Sequence, residues 1–377
     1  MRRKENLNKW NWRMRVIISG GGTGGHVFPA IAIADAISTM SPDTEILFVG
    51  AIGKLEMEKV PKAGYKIEGL NVTGFQRKLT LKNLVFPLRL VASLWKARQI
   101  VRSFKPDVVV GVGGYASGPV LKMANLAGIK TVLQEQNSFA GVTNRLLADK
   151  AMAICVAYEE MERFFPADRT IFTGNPVRKQ IASGSISSEE GRKNFGLDPA
   201  SPVALIFGGS LGAKALNEAV FKNIEKILSS TSVNLIWQAG NMYYESYRSK
   251  GVEDSERVKL LPFIENMEAA YAAADIVVCR AGALTISELA VLGKAAILVP
   301  SPNVAEDHQT VNAMSLVKKN AALMVKDADA ASQLGTVLID LLTDENKRKD
   351  LKKNIKFFAR PDAAIKIAEI ILKAGKR

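Results

Sequence analysis

This chain of 377 residues contains only two histidines, His26 and His308, and each stands beside a motif. Histidine is the side chain whose ordinary pKa lies nearest neutrality, so it suits the removal of a proton from an attacking hydroxyl. His26 closes the run GGGTGGH (20–26), which follows the β-branched segment VIIS (16–19) and opens an apolar pattern at helical spacing. A strand feeding a glycine loop and then a helix aims several backbone N–H groups and the positive end of the helix dipole at one point, which makes an anion site. At the mouth of such a loop His26 is a candidate general base; the competing role is that of a structural hydrogen-bonding residue.

Gly20, Gly22 and Gly25 fit the dinucleotide pattern GxGxxG. That pattern also needs an acidic residue at the end of the next strand for the ribose hydroxyls. The segment EILFVGAIGK (45–54) ends its strand in Val49 and Gly50 instead. A nucleotide-triphosphate loop would need Gly-Lys-Ser/Thr, and here Gly25-His26-Val27 follows. The second half offers a better nucleotide site. In CRAGALTISELA (279–290) a helix begins around Ala283–Thr285 directly after a strand, and Glu288 follows one turn further in. Exposed N–H groups at a helix start suit a diphosphate, and a carboxylate one turn on suits the two hydroxyls of a ribose. A solvated helix carboxylate is the alternative for Glu288, and a surface cation for Arg280. FGGSLGA (207–213) provides a further cradle with Ser210 as hydroxyl donor, unless its glycines serve only a tight turn.

Four segments repeat one pattern of β-branched run, glycine turn and helix: 16–25, 107–118, 203–213 and 275–288. Runs apolar on both faces and followed by helices predict parallel strands in βα units, hence a doubly wound α/β protein. Two units lie in each half, and the polar, Gly/Ser/Pro-rich stretch 172–202 separates them, placing a domain boundary near Asn175. The domains expected are 1–174, with a final helix over 359–377, and 175–358. The basic tail predicts two helices parted at Pro361, since proline breaks the backbone ladder and disfavours helix in the residue before it.

Cys155 and Cys279 stand far apart in apolar runs with no CxxC, so both are expected buried and neither a disulfide nor a metal framework is expected. The formal charge of +14 implies an anionic partner: nucleic acid, a phosphate-rich substrate or an anionic membrane. Charge does not choose among them. The basic N-terminus lacks the apolar core of a secretory signal and no run of about 20 apolar residues occurs, so the chain reads as cytosolic with nothing spanning a bilayer. Between Glu68 and Asp107 there are eight cations and no acid. Phe75, Leu79, Leu84, Phe86, Leu88 and Trp95 are interleaved with them, while Leu90 and Leu94 at helical spacing are expected in the core. Cations with exposed apolar groups suit an interfacial segment on anionic lipid, to which Trp10 and Trp12 would add a second contact.

The motifs GGGTGGHVFPA, GVGGYASGP, QEQNSFAGVTNR, TGNPVR, GGSLGA, RAGALTISE and EDHQTVNA, in this order, closely resemble glycosyltransferase family 28, in particular its N-acetylglucosaminyltransferases of peptidoglycan synthesis. The resemblance runs from about Arg15 to the C-terminus. It implies a GT-B fold of two Rossmann-like domains facing across a cleft, with the last helix returning to the first domain. The implied reaction is transfer of GlcNAc from UDP-GlcNAc to the 4-hydroxyl of MurNAc in the undecaprenyl-linked acceptor lipid I, giving lipid II and UDP with inversion. A peripheral position on the cytoplasmic face of the bacterial inner membrane comes with it.

Carried over position by position, the donor contacts implied are Thr23, Gly24 and Gly25, then Asn137, Arg178, Ser210 and Ile264, the last through its backbone to uracil. Ala283, Leu284, Thr285, Ile286, Ser287 and Glu288 would hold diphosphate and ribose, and Gln309 the sugar hydroxyls. His26 is the implied base, with Gly113, Gly114, Tyr115 and Glu135 toward the acceptor. Leu211 stands where the family commonly has Gln, and Gln134 where many members have His.

Inverting transfer needs a base on the acceptor hydroxyl and stabilisation of departing UDP. Helix N–H groups and Arg178 can supply the second. No acidic pair follows a strand in the way a metal-binding DxD would, so no obligatory metal or other cofactor is expected, and a divalent cation would act as a stimulant by screening phosphates. The competing functions are a UDP-GlcNAc 2-epimerase of the same fold, which would need no lipid patch, and a nicotinamide oxidoreductase, which lacks its ribose acid. A nucleic-acid module finds no RRM, KH or HTH signature here, so nucleic acid is not an expected partner.

Overall fold

The computed structural model describes residues 13–72, 86–252, 255–304 and 307–376. The chain forms two units, one comprising Met1–Arg178 with Arg360–Arg377 and the other Lys179–Ala359. The expected boundaries at 174/175 and 358/359 lie beside these divisions. Asn175 belongs to the first unit because its amide is built into it: Asn175 Nδ2 donates to Gln136 O at 3.0 Å, and Gln134 Nε2 donates to Asn175 Oδ1 at 3.1 Å.

The first unit holds a parallel sheet of β1 (Arg15–Ser19), β2 (Glu45–Ala51), β3 (Lys66–Leu70), β4 (Val108–Gly111), β5 (Lys130–Glu135), β6 (Ala153–Val156) and β7 (Thr170–Phe172). Its order is β3-β2-β1-β4-β5-β6-β7. Strand residues alternate between two buried layers, as a sheet covered on both faces requires. Val16 and Ile18 pack with α1 (Gly24–Met40) and the helix Ala363–Gly375, while Ile17 packs with Ala97, Ile100 and Val101 of α3 (Phe86–Phe104). A short helix, α2 (Glu56–Lys62), lies between β2 and β3.

The tail forms the helices Glu345–Ile355 and Ala363–Gly375, parted around Pro361 as its proline predicts. In the second of these, Ile367, Ile371 and Leu372 are fully buried in the core of the first unit. Each such side chain contributes about 1.5–3 kcal/mol by burial, against about 5–15 kcal/mol for a whole domain. The first unit therefore depends on this returning helix.

The second unit is a parallel sheet of β8 (Val203–Phe207), β9 (Asn234–Gln238), β10 (Val258–Leu261), β11 (Ile276–Cys279), β12 (Ala295–Leu298) and β13 (Leu323–Met324), ordered β10-β9-β8-β11-β12-β13. In both units the strand order reverses once, at β1/β4 and at β8/β11, and such switch points are where α/β sheets bind ligands, beyond the carboxyl ends of the strands. The four repeated sequence segments are the four switch-point strands.

Both cysteines are fully buried; burial pushes the Cys155 thiol up to about 12 and raises that of Cys279 as well, with the nearby Glu288 charge adding to the latter. Neither is a nucleophile at neutral pH. The buried stripe of α3 runs through Ser93, Ala97, Ile100 and Val101. Leu94 is half-buried, but Leu90 is 39% exposed, contrary to the expectation that both are core. Leu90 lies one turn before Ser93, the first buried residue described in α3. The expectations for residues 73–85, the Phe86 side chain, Trp10 and Trp12 fall outside the described residues. Among the described residues no helix is long and apolar enough to cross a membrane.

Candidate active site

The glycine loops leave the two switch points. In the first unit the loop after β1 meets the loop after β4 backbone to backbone, with Gly21 N–H donating to Gly113 O at 3.3 Å. The contact leaves no room for side chains. A Cβ on Gly114, whose φ is +84°, would stand 2.4 Å from Gly21 O. One on Gly113, φ +88°, would stand 2.9 Å from both Cδ2 and Nε2 of His26. The positive φ calls for glycine at both places, and at Gly113 the imidazole also crowds the space a side chain would need.

His26 lies in the first turn of α1, where the expected N-terminal dipole is found. The first helical amides turn back on Thr23, whose carbonyl accepts from His26 N–H and Val27 N–H at 3.1 Å each. No side chain caps this helix start. The first-turn amides of Thr23, Gly24 and Gly25 thus face outward, and Thr23 and Gly25 are exposed. Thr23 Oγ1 is 3.3 Å from His26 Nδ1. With Nδ1 protonated and donating to Thr23, Nε2 keeps its lone pair on the side of Gly113, the tautomer a base at Nε2 requires.

Tyr115, just past the β4 loop, is 62% exposed. Glu135 is buried at the end of β5, and its carboxylate organises the following loop: Oε1 accepts from Asn137 N–H (3.1 Å) and Asn137 Nδ2 (3.3 Å), and Oε2 from Gly141 N–H (3.0 Å) and Asn144 Nδ2 (2.9 Å). Glu135 and Asn137 are thereby one assembly, and Gln134 and Gln136 lie in a buried amide network beside it. Gln136 Nε2 donates to Val112 O at 2.8 Å and also contacts Gln134 Oε1, tying β5 to the β4 loop. The Arg178 guanidinium lies 4.6 Å from the centre of the Phe28 ring on α1, a cation–π contact that fixes the guanidinium at this helix.

In the second unit β8 and β11 are neighbours, so their loops leave the same edge of the sheet. The β8 loop carries Ser210, half-buried, and Leu211, 80% exposed. Gln238 at the end of β9 joins it to Ile264, donating from Nε2 to Gly209 O at 2.8 Å and accepting Ile264 N–H at 3.4 Å. The loop after β11 opens the helix Ala283–Leu292, whose N-cap Gly282 has no side chain to satisfy the first turn. The amides of Ala283, Leu284 and Thr285 precede the first to turn back, Ile286 N–H onto Gly282 O at 3.0 Å, so the helix start has the geometry expected of an anion site. Ser287 Oγ donates back to Ala283 O at 3.0 Å. Glu288 is 4% exposed, not a solvated carboxylate, and accepts the Tyr271 hydroxyl at 2.9 Å. Gln309, one residue into the helix His308–Val317, accepts Ser301 N–H at 2.8 Å through Oε1, which leaves its NH2 to donate elsewhere. Arg280 is no surface cation: Nη1 donates to Val299 O and pairs with Asp327.

The structure thus brings His26 against Gly113 and Gly21 against Gly114, with Thr23, Gly24 and Gly25 in the turn that leads to His26, and gathers Ala283–Glu288 on one helix beside the Ser210 loop. Three residues were missed from sequence. Gln238 has no motif around it. Tyr271 sits in an alanine-rich apolar helix, where a buried phenol demands a partner, and that signal was available. Glu56 accepts Gly22 N–H and Ala51 N–H, both at 2.8 Å, from outside any recognisable spacing. Among the described residues no three His, Cys, Asp or Glu side chains gather as a metal cage would need.

Known proteins match this arrangement over nearly its whole length. The glycosyltransferase family 28 N-terminal domain matches residues 16–156, and the family's C-terminal domain matches residues 203–367. A protein of Cytophaga hutchinsonii named UDP-N-acetylglucosamine–N-acetylmuramyl-(pentapeptide) pyrophosphoryl-undecaprenol N-acetylglucosamine transferase is 54% identical, covering 94% of this chain and 95% of its own. Among solved structures, MurG of Acinetobacter baumannii superposes with a TM-score of 0.74 at 30% identity, covering 96% of this chain and 99% of its own. A UDP-N-acetylglucosamine 2-epimerase superposes with a TM-score of 0.68 but 15% identity, covering 97% of each chain, a likeness of fold alone.

Proposed function

The chain belongs to glycosyltransferase family 28, and from that premise we infer that it moves GlcNAc from UDP-GlcNAc to the 4-hydroxyl of MurNAc in lipid I, forming lipid II and UDP. It is an N-acetylglucosaminyltransferase of peptidoglycan synthesis with the GT-B fold. The observation that carries this reading is that relatives sharing half or more of the sequence, end to end, bear the name of this one transfer.

His26 takes the proton of the acceptor hydroxyl at Nε2 as that oxygen attacks the anomeric carbon of GlcNAc. Its seat at the uncapped start of α1, turned by Thr23, supports the role. The leaving diphosphate gathers charge as the sugar–oxygen bond breaks, and the amides of Ala283, Leu284 and Thr285 are oriented donors that need no reorganisation to meet it. The buried, phenol-held Glu288 supports a ribose contact, and Ile264, Ser210 and Gln309 complete the donor side. Arg178, Asn137, Thr23, Gly24 and Gly25 are the donor contacts proposed from the first unit, and Gly113, Gly114, Tyr115 and Glu135 serve the acceptor side. Helix amides and Arg178 do the work for which other transferases recruit a metal, so a divalent cation stimulates without being required.

The test is UDP release from UDP-GlcNAc with and without a short-chain lipid I analogue. Transfer requires UDP to appear only with acceptor; turnover without acceptor would instead fit the epimerase.

The protein works at the cytoplasmic face of the inner membrane, attached by the outer side of α3. Leu88, Val91 and Trp95 are 71%, 64% and 62% exposed there, spaced over two turns on one side, with Arg98 and Arg102 exposed beside them. Apolar groups flanked by cations suit anionic lipid, each cation adding about 1 kcal/mol near the surface. The double variant Val91→Glu, Trp95→Glu is expected to bind phosphatidylglycerol vesicles at least about tenfold more weakly in co-sedimentation. Its melting temperature, set by the untouched buried stripe, should hold. Unchanged vesicle binding would move the attachment elsewhere.

A further inference from the structure

Three consecutive amides of the first glycine loop are already engaged within the chain. Gly20 N–H donates to Val49 O and Gly21 N–H to Gly113 O, each at 3.3 Å, and Gly22 N–H donates to Glu56 Oε2 at 2.8 Å. The second oxygen of Glu56 accepts Ala51 N–H at 2.8 Å, at the end of β2. Glu56 is 2% exposed, so this is a carboxyl group taken out of water and held by backbone donors. The surrounding glycines are shaped to it. A Cβ on Gly21 would lie 2.2–2.5 Å from the carboxyl atoms of Glu56, and one on Gly50 would lie 2.4 Å from its Cγ. A loop of this type offers a ligand phosphate the amides at the helix start, which here begins after Thr23. The amide just before it is taken by the side chain of the next helix.

We propose that Glu56 is a positioning residue that closes the cradle of the first glycine loop and thereby aims the first turn of α1, with His26, at the reacting hydroxyl. The inference rests on the reading of His26 as the base. Its physical content is a division of labour along GGGTGGH. The amides of Gly20–Gly22 are pinned to β2, the β4 loop and α2, and of the loop and first turn those of Thr23, Gly24 and Gly25 remain for a ligand. The sequence pattern of a dinucleotide loop is present, and so is a carboxylate from beyond β2, but the carboxylate grips the loop rather than a ribose. Since Gly113 touches the imidazole and Gly21 is bonded to Gly113, a shift of the Gly21–Gly22 backbone is passed to His26 by two routes, along α1 and through the β4 loop.

Glu56→Gln tests this in the full-length enzyme, because it keeps the shape and turns one acceptor oxygen into an N–H group facing a backbone N–H. The readouts are kcat and KM for UDP-GlcNAc with the lipid I analogue, and the imidazole NMR signals of the chain's two histidines, assigned with His308→Gln. We expect kcat to fall roughly 10–100-fold, as for a displaced catalytic group, with KM for UDP-GlcNAc within about threefold. The His26 signal should shift while that of His308 stays. A wild-type kcat with an unmoved His26 signal would overturn the proposal, and so would a raised KM at unchanged kcat, which would make Glu56 a ligand contact. Should both signals move together, as loss of fold requires, Glu56→Asp takes its place and is read the same way. The NMR arm decides the positioning role even if the transfer reaction itself is not found.

Discussion

His26→Ala is expected to lower kcat about 10²–10⁴-fold, the range for a lost general base, while UDP-GlcNAc binding measured by calorimetry stays within a few-fold. The expectation follows from the separation of tasks in the site. The diphosphate-binding amides proposed for UDP lie on the helix Ala283–Leu292 in the second unit, and the imidazole lies in the first. Removing the ring deletes the proton acceptor and the surface that packs on Gly113, but not a donor-binding amide. His26→Gln separates these two losses, since it restores bulk against Gly113 without a basic nitrogen. If Gln recovers most of the activity, the ring is a spacer and not a base. If donor binding collapses with Ala, His26 is part of the loop's architecture.

The second large effect is expected at Glu288. Loss of a charge-assisted hydrogen bond costs about 1.5–3 kcal/mol, so Glu288→Ala should weaken UDP-GlcNAc binding on the order of 10–150-fold, more if both ribose hydroxyls are held. Tyr271→Phe should cost only a few-fold, because it removes the group that steadies the carboxylate and leaves the carboxylate in place. A 2′-deoxyribose analogue of UDP gives the decisive comparison. Wild type should bind it more weakly than UDP, and Glu288→Ala should no longer tell the two apart. Equal discrimination by both proteins would mean that Glu288 serves the fold through Tyr271 and does not touch the ribose.

Much of this arrangement was legible in the sequence because it depends on short, local patterns. The runs at 16–25, 107–118, 203–213 and 275–288 became the switch-point strands of both sheets, since a short β-branched segment apolar on both faces and bounded by glycine suits a central parallel strand. Pro361 lies between the final helices, two residues before the second begins. What escaped was non-local. Glu56 is distinguished by two amides, one of them 34 residues earlier in the chain, and by glycines that make space for it, and no spacing rule encodes such a meeting. Leu90 fits the helical period but falls a turn outside the covered part of α3, and period alone does not say where a neighbouring layer ends. Glu288 was legible as a residue and not as an environment, because the phenol that holds it stands 17 positions away.

The first unit is discontinuous: its chain departs at Arg178, and the helix that completes its core does not begin until Ala363. On the ribosome, where residues emerge in order from the N-terminus, the second unit is a continuous insert that can finish folding while the first still waits. Until Ile367, Ile371 and Leu372 have been made, Val16 and Ile18 have α1 against them but lack the second helix of that layer. The unit carrying His26 is thus begun before the second unit and completed only after it.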